Sequence, residues 1–268
     1  MITLSELAIY PIKSTSQIRL QKARISPFGL EMDRRWMLID AQGYMLTQRK
    51  HPRMCLIQGA LESINLDNAN LSIFAPDMTP LTVPVKAPES LLKATVWGDT
   101  CNAHDCGPKA AEWFSRFLQT PTRLVYFPDN EKRQVDLGYA QQGDITAFSD
   151  GFPYLLISQG SLDDLNGRLK TPVEMQRFRP NLVVTGTEAF AEDNWKKIRI
   201  GDITFRLVKP CSRCSIPSIN PQTAEKTAEV VTTLAGYRMR ENKIFFGQNV
   251  IAEGSGQLSV GMAVEVLD

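Results

Sequence analysis

The chain is written in short extended runs with a turn signal after almost every one, and this pattern excludes most folds before composition is consulted. Residues 3–10 stop at Pro11, 36–39 and 44–47 flank Asp40-Ala41-Gln42-Gly43, and 61–66 and 71–74 flank Asp67-Asn68-Ala69-Asn70. The two flanked pairs predict hairpins. Further strands are predicted over 102–104, 123–127, 182–185, 197–200, 203–208, 250–252, 258–260 and 264–267. Helices are few. Ala111, Phe114 and Leu118 repeat at helical spacing over 108–118, Ser161 reads as the N-cap of a short helix through Leu169, and a third helix is predicted over 228–240. Residues 128–144 are polar and irregular and predict a mobile surface loop. Many short strands with few helices make a mostly β (α+β) chain, a closed or nearly closed barrel rather than a parallel βαβ sheet.

At 268 residues the chain can form one large or two modest domains. Hydrophobic content of 43% and charged content of 22% suit a soluble globular protein. A net charge of +1, with no basic stripe of aromatics, argues against nucleic acid as a partner. No apolar run approaches the roughly 20 residues of a membrane span, so no membrane partner is expected. The N-terminus carries Glu6 and lacks a secretory pattern, and five scattered cysteines suit a reducing, cytoplasmic setting. P-loop, GxGxxG, nucleophile-elbow and HExxH signatures are absent.

Chemistry concentrates at Cys211-Ser212-Arg213-Cys214. Ile203, Phe205 and Leu207 alternate with Thr204, Arg206 and Val208, a half-buried strand whose ladder Pro210 is predicted to end. Two thiols then follow three residues apart with a cation between them. A nearby cation favours thiolate, the form that ligates metals or attacks electrophiles. Spacing alone leaves metal ligation, thiol chemistry and a structural pair open. Cys55, Cys101, Cys106, His51 and His104 do not supply the second pair a zinc ribbon needs. Residues 215–221 do not read as the helix a thioredoxin-like pair would open. His104 reads as a packed core residue and His51 as surface.

Several loops place cations just beyond strand ends: Lys13-Ser14, Asp33-Arg34-Arg35, Arg177-Phe178-Arg179-Pro180-Asn181 and Ser212-Arg213. Arginine forks and free backbone N–H groups suit phosphate. Each cation alone reads as a solvated loop residue; together they would form an anion pocket. Asp150, ahead of the apolar run 154–157, reads first as a turn residue and second as a catalytic carboxylate.

Tyr10-Pro11-Ile12-Lys13-Ser14, Asp33-Arg34-Arg35-Trp36, Ser149-Asp150-Gly151-Phe152-Pro153, Phe178-Arg179-Pro180-Asn181, Cys211-Ser212-Arg213-Cys214 and Phe246-Gly247-Gln248-Asn249 stand in this order. Over nearly its whole length the chain thereby resembles the MOSC-domain family, in particular the mitochondrial amidoxime-reducing components and their bacterial counterparts. The resemblance implies a β-rich N-terminal MOSC domain over 1–120 packed against a MOSC β-barrel over 121–268. It implies a molybdenum cofactor, with the Cys214 thiolate as metal ligand and catalytic centre. Lys13, Ser14, Arg34, Arg179 and Asn181 would hold its phosphate and pterin. Gly151, Phe152, Ser212, Arg213 and Asn249 would add contacts. Arg213 would favour the Cys214 thiolate, with Cys211 in a supporting place. At the superfamily level the resemblance also carries an expectation of pyridoxal phosphate binding.

The implied reaction is two-electron reduction of an N-hydroxylated substrate, such as an amidoxime or hydroxylaminopurine, with Asp150 relaying protons. The alternatives are a carrier of the cofactor without turnover, and a thiol-disulfide oxidoreductase using Cys211 and Cys214. Asn249 stands where the mitochondrial members carry tyrosine, and Lys50 follows Thr47-Gln48-Arg49 where glutamine is commoner. Some bacterial relatives continue into a ferredoxin-like domain. No cysteine set here holds an iron–sulfur cluster, so a separate reductase is the expected electron donor.

Overall fold

Alternation decides which way each strand faces. In Leu182–Thr185, Leu182 and Val184 enter the main core, whereas Val183 packs with Ile157, Leu162 and Leu165 near the helix Gln159–Asn166. In Trp36–Ile39, Trp36 and Leu38 join that same main core while Met37 and Ile39 fill a second one with Phe28, Val125 and Phe127. Strands buried on both faces read as continuous apolar runs. The structure, a computed structural model, describes residues 1–61, 70–85 and 90–267.

Two sheets close on themselves. The larger runs Val264–Val266, Lys197–Ile200, Ile203–Ser212, Lys243–Glu253, Tyr154–Ser158, Leu182–Thr185, Thr3–Ile9 and Ile18–Leu20 in hydrogen-bonded order. Its seam is shut where Thr3 faces Ala263, Leu4 N donates to Met262 O and Val264 N donates to Ile2 O. The first strand of the chain is thus a stave of the second half's barrel. The smaller sheet orders Trp36–Ile39, Arg123–Tyr126, Asp99–Asp105 and Leu91–Val96. Residues 43–46 close it, through Leu46 N to Leu38 O and Met45 N to Thr95 O. The predicted turn at 40–43 forms, with Asp40 Oδ1 accepting from Gln42 N and Tyr44 N.

Local differences from expectation have physical causes. Pro210 does not end its strand: Ile203–Ser212 runs through it, with Pro210 opposite Gln248 and register shifts on either side. A proline is tolerated where irregular pairing asks for no N–H. Ser158, not Ser161, caps the second helix, because its side chain accepts from Ser161 N. Tyr154–Ser158 runs parallel to Leu182–Thr185, with that helix in the crossover. Residues 128–144 are irregular as predicted but anchored: Val135 and Arg133 are buried, and Arg133 donates to the carbonyls of Ala147, Ser149 and Asp150. Lys243–Glu253 is one long strand rather than a short one at 250–252. A helix forms at Pro108–Leu118 where spacing predicts it, and the third helix covers Glu229–Arg238 of the predicted 228–240, with Met239–Arg240 in a short strand. The predicted hairpin over 61–74 lies partly outside the described residues; Gln58–Leu61 pairs with Asn70–Phe74.

Candidate functional site

Three residues with side chains hold left-handed backbone at one place: Ser14 (φ 65), Arg34 (φ 48) and Arg179 (φ 59). Each such residue costs roughly 1 kcal/mol or more, and such strain clusters at functional sites. Tyr10 brings the two arginines together. Its ring centroid lies 4.4 Å from the Arg34 guanidinium and 4.1 Å from that of Arg179, so one π-system serves two like charges. Arg34 Nη1 donates to Asp33 Oδ2 (2.5 Å) and Asn181 Oδ1 (2.9 Å), and Nη2 donates to Arg179 O (3.2 Å). Arg179 Nη1 donates to Thr15 O (2.5 Å), and burial draws its pKa down to about 10. Asn181 is buried and committed: Oδ1 also accepts from Leu155 N, and Nδ2 donates to Ala8 O. It orients Arg34.

Lys13 is only 4% exposed. Its backbone N–H donates to Trp36 O, which ties the loop after Pro11 to the smaller barrel. Nζ donates to Phe148 O (2.7 Å) and to Asp150 Oδ1 (2.5 Å). Burial pulls the ammonium down to about 8, against the Asp150 charge that raises it. For Asp150, desolvation by the walls around it pushes the carboxyl up. Lys13, Trp97 Nε1 and Arg49 outweigh this and hold it well below the usual carboxylate range. The Asp150 side chain is 63% exposed, so this ionised carboxylate faces both Lys13 and solvent.

The sulfurs stand at the end of the long strand, where Arg213 N donates to Ile244 O. Arg213 Nη1 reaches Cys211 Sγ (3.2 Å) and Nη2 donates to Phe178 O (2.7 Å). This corrects the expected pairing of Arg213 with Cys214. Arg213 lies just past the strand's last residue, Ser212, with its N–H still paired to Ile244 O, so the extended alternation carries on and its side chain falls beside Cys211, while Cys214 follows after the pairing has ended. Cys214 is half-buried.

Every residue that the family resemblance assigns to the site, from Lys13 to Asn249, lines one cleft enclosing about 730 Å³ with its mouth. They come from six separate stretches on both sides of residue 120. Arg35 and Arg177 turn elsewhere, to Phe127 O and Pro217 O. Asn249 Nδ2 donates to Lys209 O at the wall. Sequence reasoning passed over Ser149, whose buried hydroxyl lines the cleft with no hydrogen-bond partner among the described residues, as does Arg213 Nε. It also passed over Tyr10 as a platform and Arg133 as the clamp on 147–150; only the position of Tyr10 and Ser149 within the quoted blocks hinted at them. Among the described residues no group of three His, Cys, Asp or Glu side chains is placed to hold an ion. A metal at Cys214 would bring the rest of its own coordination.

The family model described as the MOSC N-terminal beta barrel domain matches residues 1–121, and that described as the MOSC domain matches 144–265. The human mitochondrial amidoxime-reducing component 1 is 35% identical over 286 residues, covering 99% of this chain and 83% of that protein. The human mitochondrial amidoxime reducing component 2 is 36% identical over 278 residues, covering 97% and 82%. The rat component 2 is 35% identical over 281 residues, covering 97% and 81%.

Proposed function

Because the chain belongs to the MOSC family of amidoxime-reducing components, we propose that it is an oxidoreductase that reduces N-hydroxylated compounds with a molybdenum cofactor in the Cys214 cleft. The observation that carries this reading is the convergence of one half-buried thiol with Lys13, Arg34 and Arg179 in a single cleft. The donor set fits such a group: one soft sulfur for a transition metal, forked cations for phosphate, and two buried donors, Ser149 Oγ and Arg213 Nε, awaiting acceptors. When bound, the cofactor supplies the two-electron chemistry that removes oxygen from an N–O bond.

The rest is assigned to this chain's residues. Cys214 is the metal ligand. Lys13, Ser14, Arg34 and Arg179 bind the phosphate, and Asn181 sets the angle of Arg34. Gly151, Phe152, Ser212, Arg213 and Asn249 shape the wall against the pterin. Reduction consumes two electrons and two protons and yields the amine or amidine and water. Lys13 Nζ holds a proton at the cleft, and Asp150, ionised and open to solvent, relays protons to it rather than storing them. Electrons come from a separate reductase. The two domains are 1–120 and 121–268, each lending a strand to the other's sheet, Thr3–Ile9 to the larger and Arg123–Tyr126 to the smaller, and the cleft draws on both.

The test is steady-state reduction of benzamidoxime and 6-hydroxylaminopurine by protein made in a cofactor-competent host, with reduced viologen as donor. The expected result is turnover by wild type and its loss in Cys214→Ser, with Cys211→Ser retaining part of it. Metal-loaded protein that accepts electrons yet reduces neither compound would point to a cofactor carrier. Metal-independent activity lost with either cysteine would point to thiol-disulfide exchange.

A further inference from the structure

Trp97 and Gly98 form the two-residue turn of the hairpin in which Val96 pairs with Asp99. Trp97 takes φ 56, a left-handed backbone where Gly or Asn is at ease and a bulky aromatic is not. It is also 46% exposed, so full burial does not repay the strain. Its hydrogen-bond acceptor, Asp150, lines the cleft. Its Nε1 donates to Asp150 Oδ1 at 3.0 Å, and the Arg49 guanidinium lies 4.2 Å from its ring centroid. Arg133 braces the same turn: Nε donates to Asp99 Oδ2 at 2.7 Å while its other nitrogens hold the carbonyls of Ala147, Ser149 and Asp150. On the far side of Gly151, Phe152 meets Tyr139, itself 42% exposed and capped by Lys209 Nζ at 3.9 Å. The loop 149–153 therefore ties two exposed aromatics to the cleft, through Asp150 and through Phe152.

We propose that Trp97 is a specificity-determining wall of the substrate entrance, selecting N-hydroxylated substrates whose N–O group is carried on a planar aromatic ring. This rests on the reductase reading above. The indole is fixed in orientation by its bond to Asp150 and by Arg49 against the ring, which leaves a pre-set stacking surface at the edge of the cleft. A small aliphatic substrate gains nothing from such a surface.

The experiment compares benzamidoxime with acetamidoxime as substrates, and benzamidine with acetamidine as calorimetric ligands, on the metal-loaded protein. Trp97→Asn suits the turn and removes the ring, so misfolding does not cloud the comparison; Trp97→Phe keeps a ring and loses the indole N–H. The aromatic-to-aliphatic ratio of kcat/KM, and the matching ratio of amidine affinities, is expected to fall about tenfold in Trp97→Asn and to stay within about threefold of wild type in Trp97→Phe. A ratio unchanged in Trp97→Asn, or lost as fully in Trp97→Phe, overturns the proposal. If wild type reduces neither amidoxime, the reductase reading fails and the amidine ratio alone decides the role of Trp97.

Discussion

Lys13 is charged and buried, and that combination sets a pH window. The folded chain gives up this proton near pH 8, whereas an ordinary lysine keeps it to 10.5. The buried charge therefore counts against folding below pH 8, and the cost fades as pH rises from 8 toward 10.5. Function runs the other way. If Nζ supplies a proton and a positive charge to the cleft, kcat/KM falls as pH rises through about 8. Asp150→Asn removes the countercharge that raises Lys13, so the alkaline limb moves to lower pH; a pH–rate profile of the two proteins checks this. A limb that stays put would remove Lys13 from the proton path. The residue types at Lys13, Arg34, Arg179 and Cys214 were legible in the sequence because loop cations and thiols are conspicuous. Their partners were not, since Phe148 O and Asp150 meet Lys13 from more than 130 positions away. The direction of Arg213 was missed for a related reason, because it depends on how far the strand runs past Pro210.

At the scale of elements, alternation and helical spacing placed Pro108–Leu118, Leu182–Thr185 and Lys197–Ile200 where the structure has them. Propensity failed where tertiary pairing overrode it, at Pro210, and where a serine three residues earlier supplied the local cap, at the start of Gln159–Asn166. Two substitutions test these elements. Ser158 Oγ accepts from Ser161 N and meets Ser161 Oγ, which donates to the buried Glu192. Ser158→Ala is expected to cost about 1–2 kcal/mol in urea unfolding, since a cap and a buried network are both broken. Gly247 stands in Lys243–Glu253 with φ +80, and a Cβ there would lie 2.6 Å from Ile157 Cγ1 and 2.8 Å from Leu156 O. Gly247→Ala is expected to destabilise by about 2–4 kcal/mol. Its neighbour Gln248 pairs with Pro210, so molybdenum retention should fall as well. Full retention would uncouple that strand from the display of Cys214.

At the scale of the whole molecule the two closed sheets share a core, and the cleft draws residues from both halves of the chain. A net charge of +1 hides a local excess: Arg179 and Arg213 have no carboxylate within salt-bridge distance among the described residues, whereas Lys13 and Arg34 are each offset by one. Metal-free protein is expected to gain thermal stability on adding inorganic phosphate, an effect weakened by salt and by Arg34→Gln or Arg179→Gln. Equal gains in all three proteins would place the anion elsewhere. The barrel architecture was legible in the rhythm of short strands, but not the seam that takes Thr3–Ile9 into the second half's sheet, which only three-dimensional closure reveals.

The most direct measurement is molybdenum and pterin content after expression in a cofactor-competent host. Near-stoichiometric molybdenum with pterin is expected in wild type, with molybdenum and activity lost together in Cys214→Ser. Folded wild type carrying neither, or Cys214→Ser keeping both metal and activity, would contradict the assignment of that sulfur.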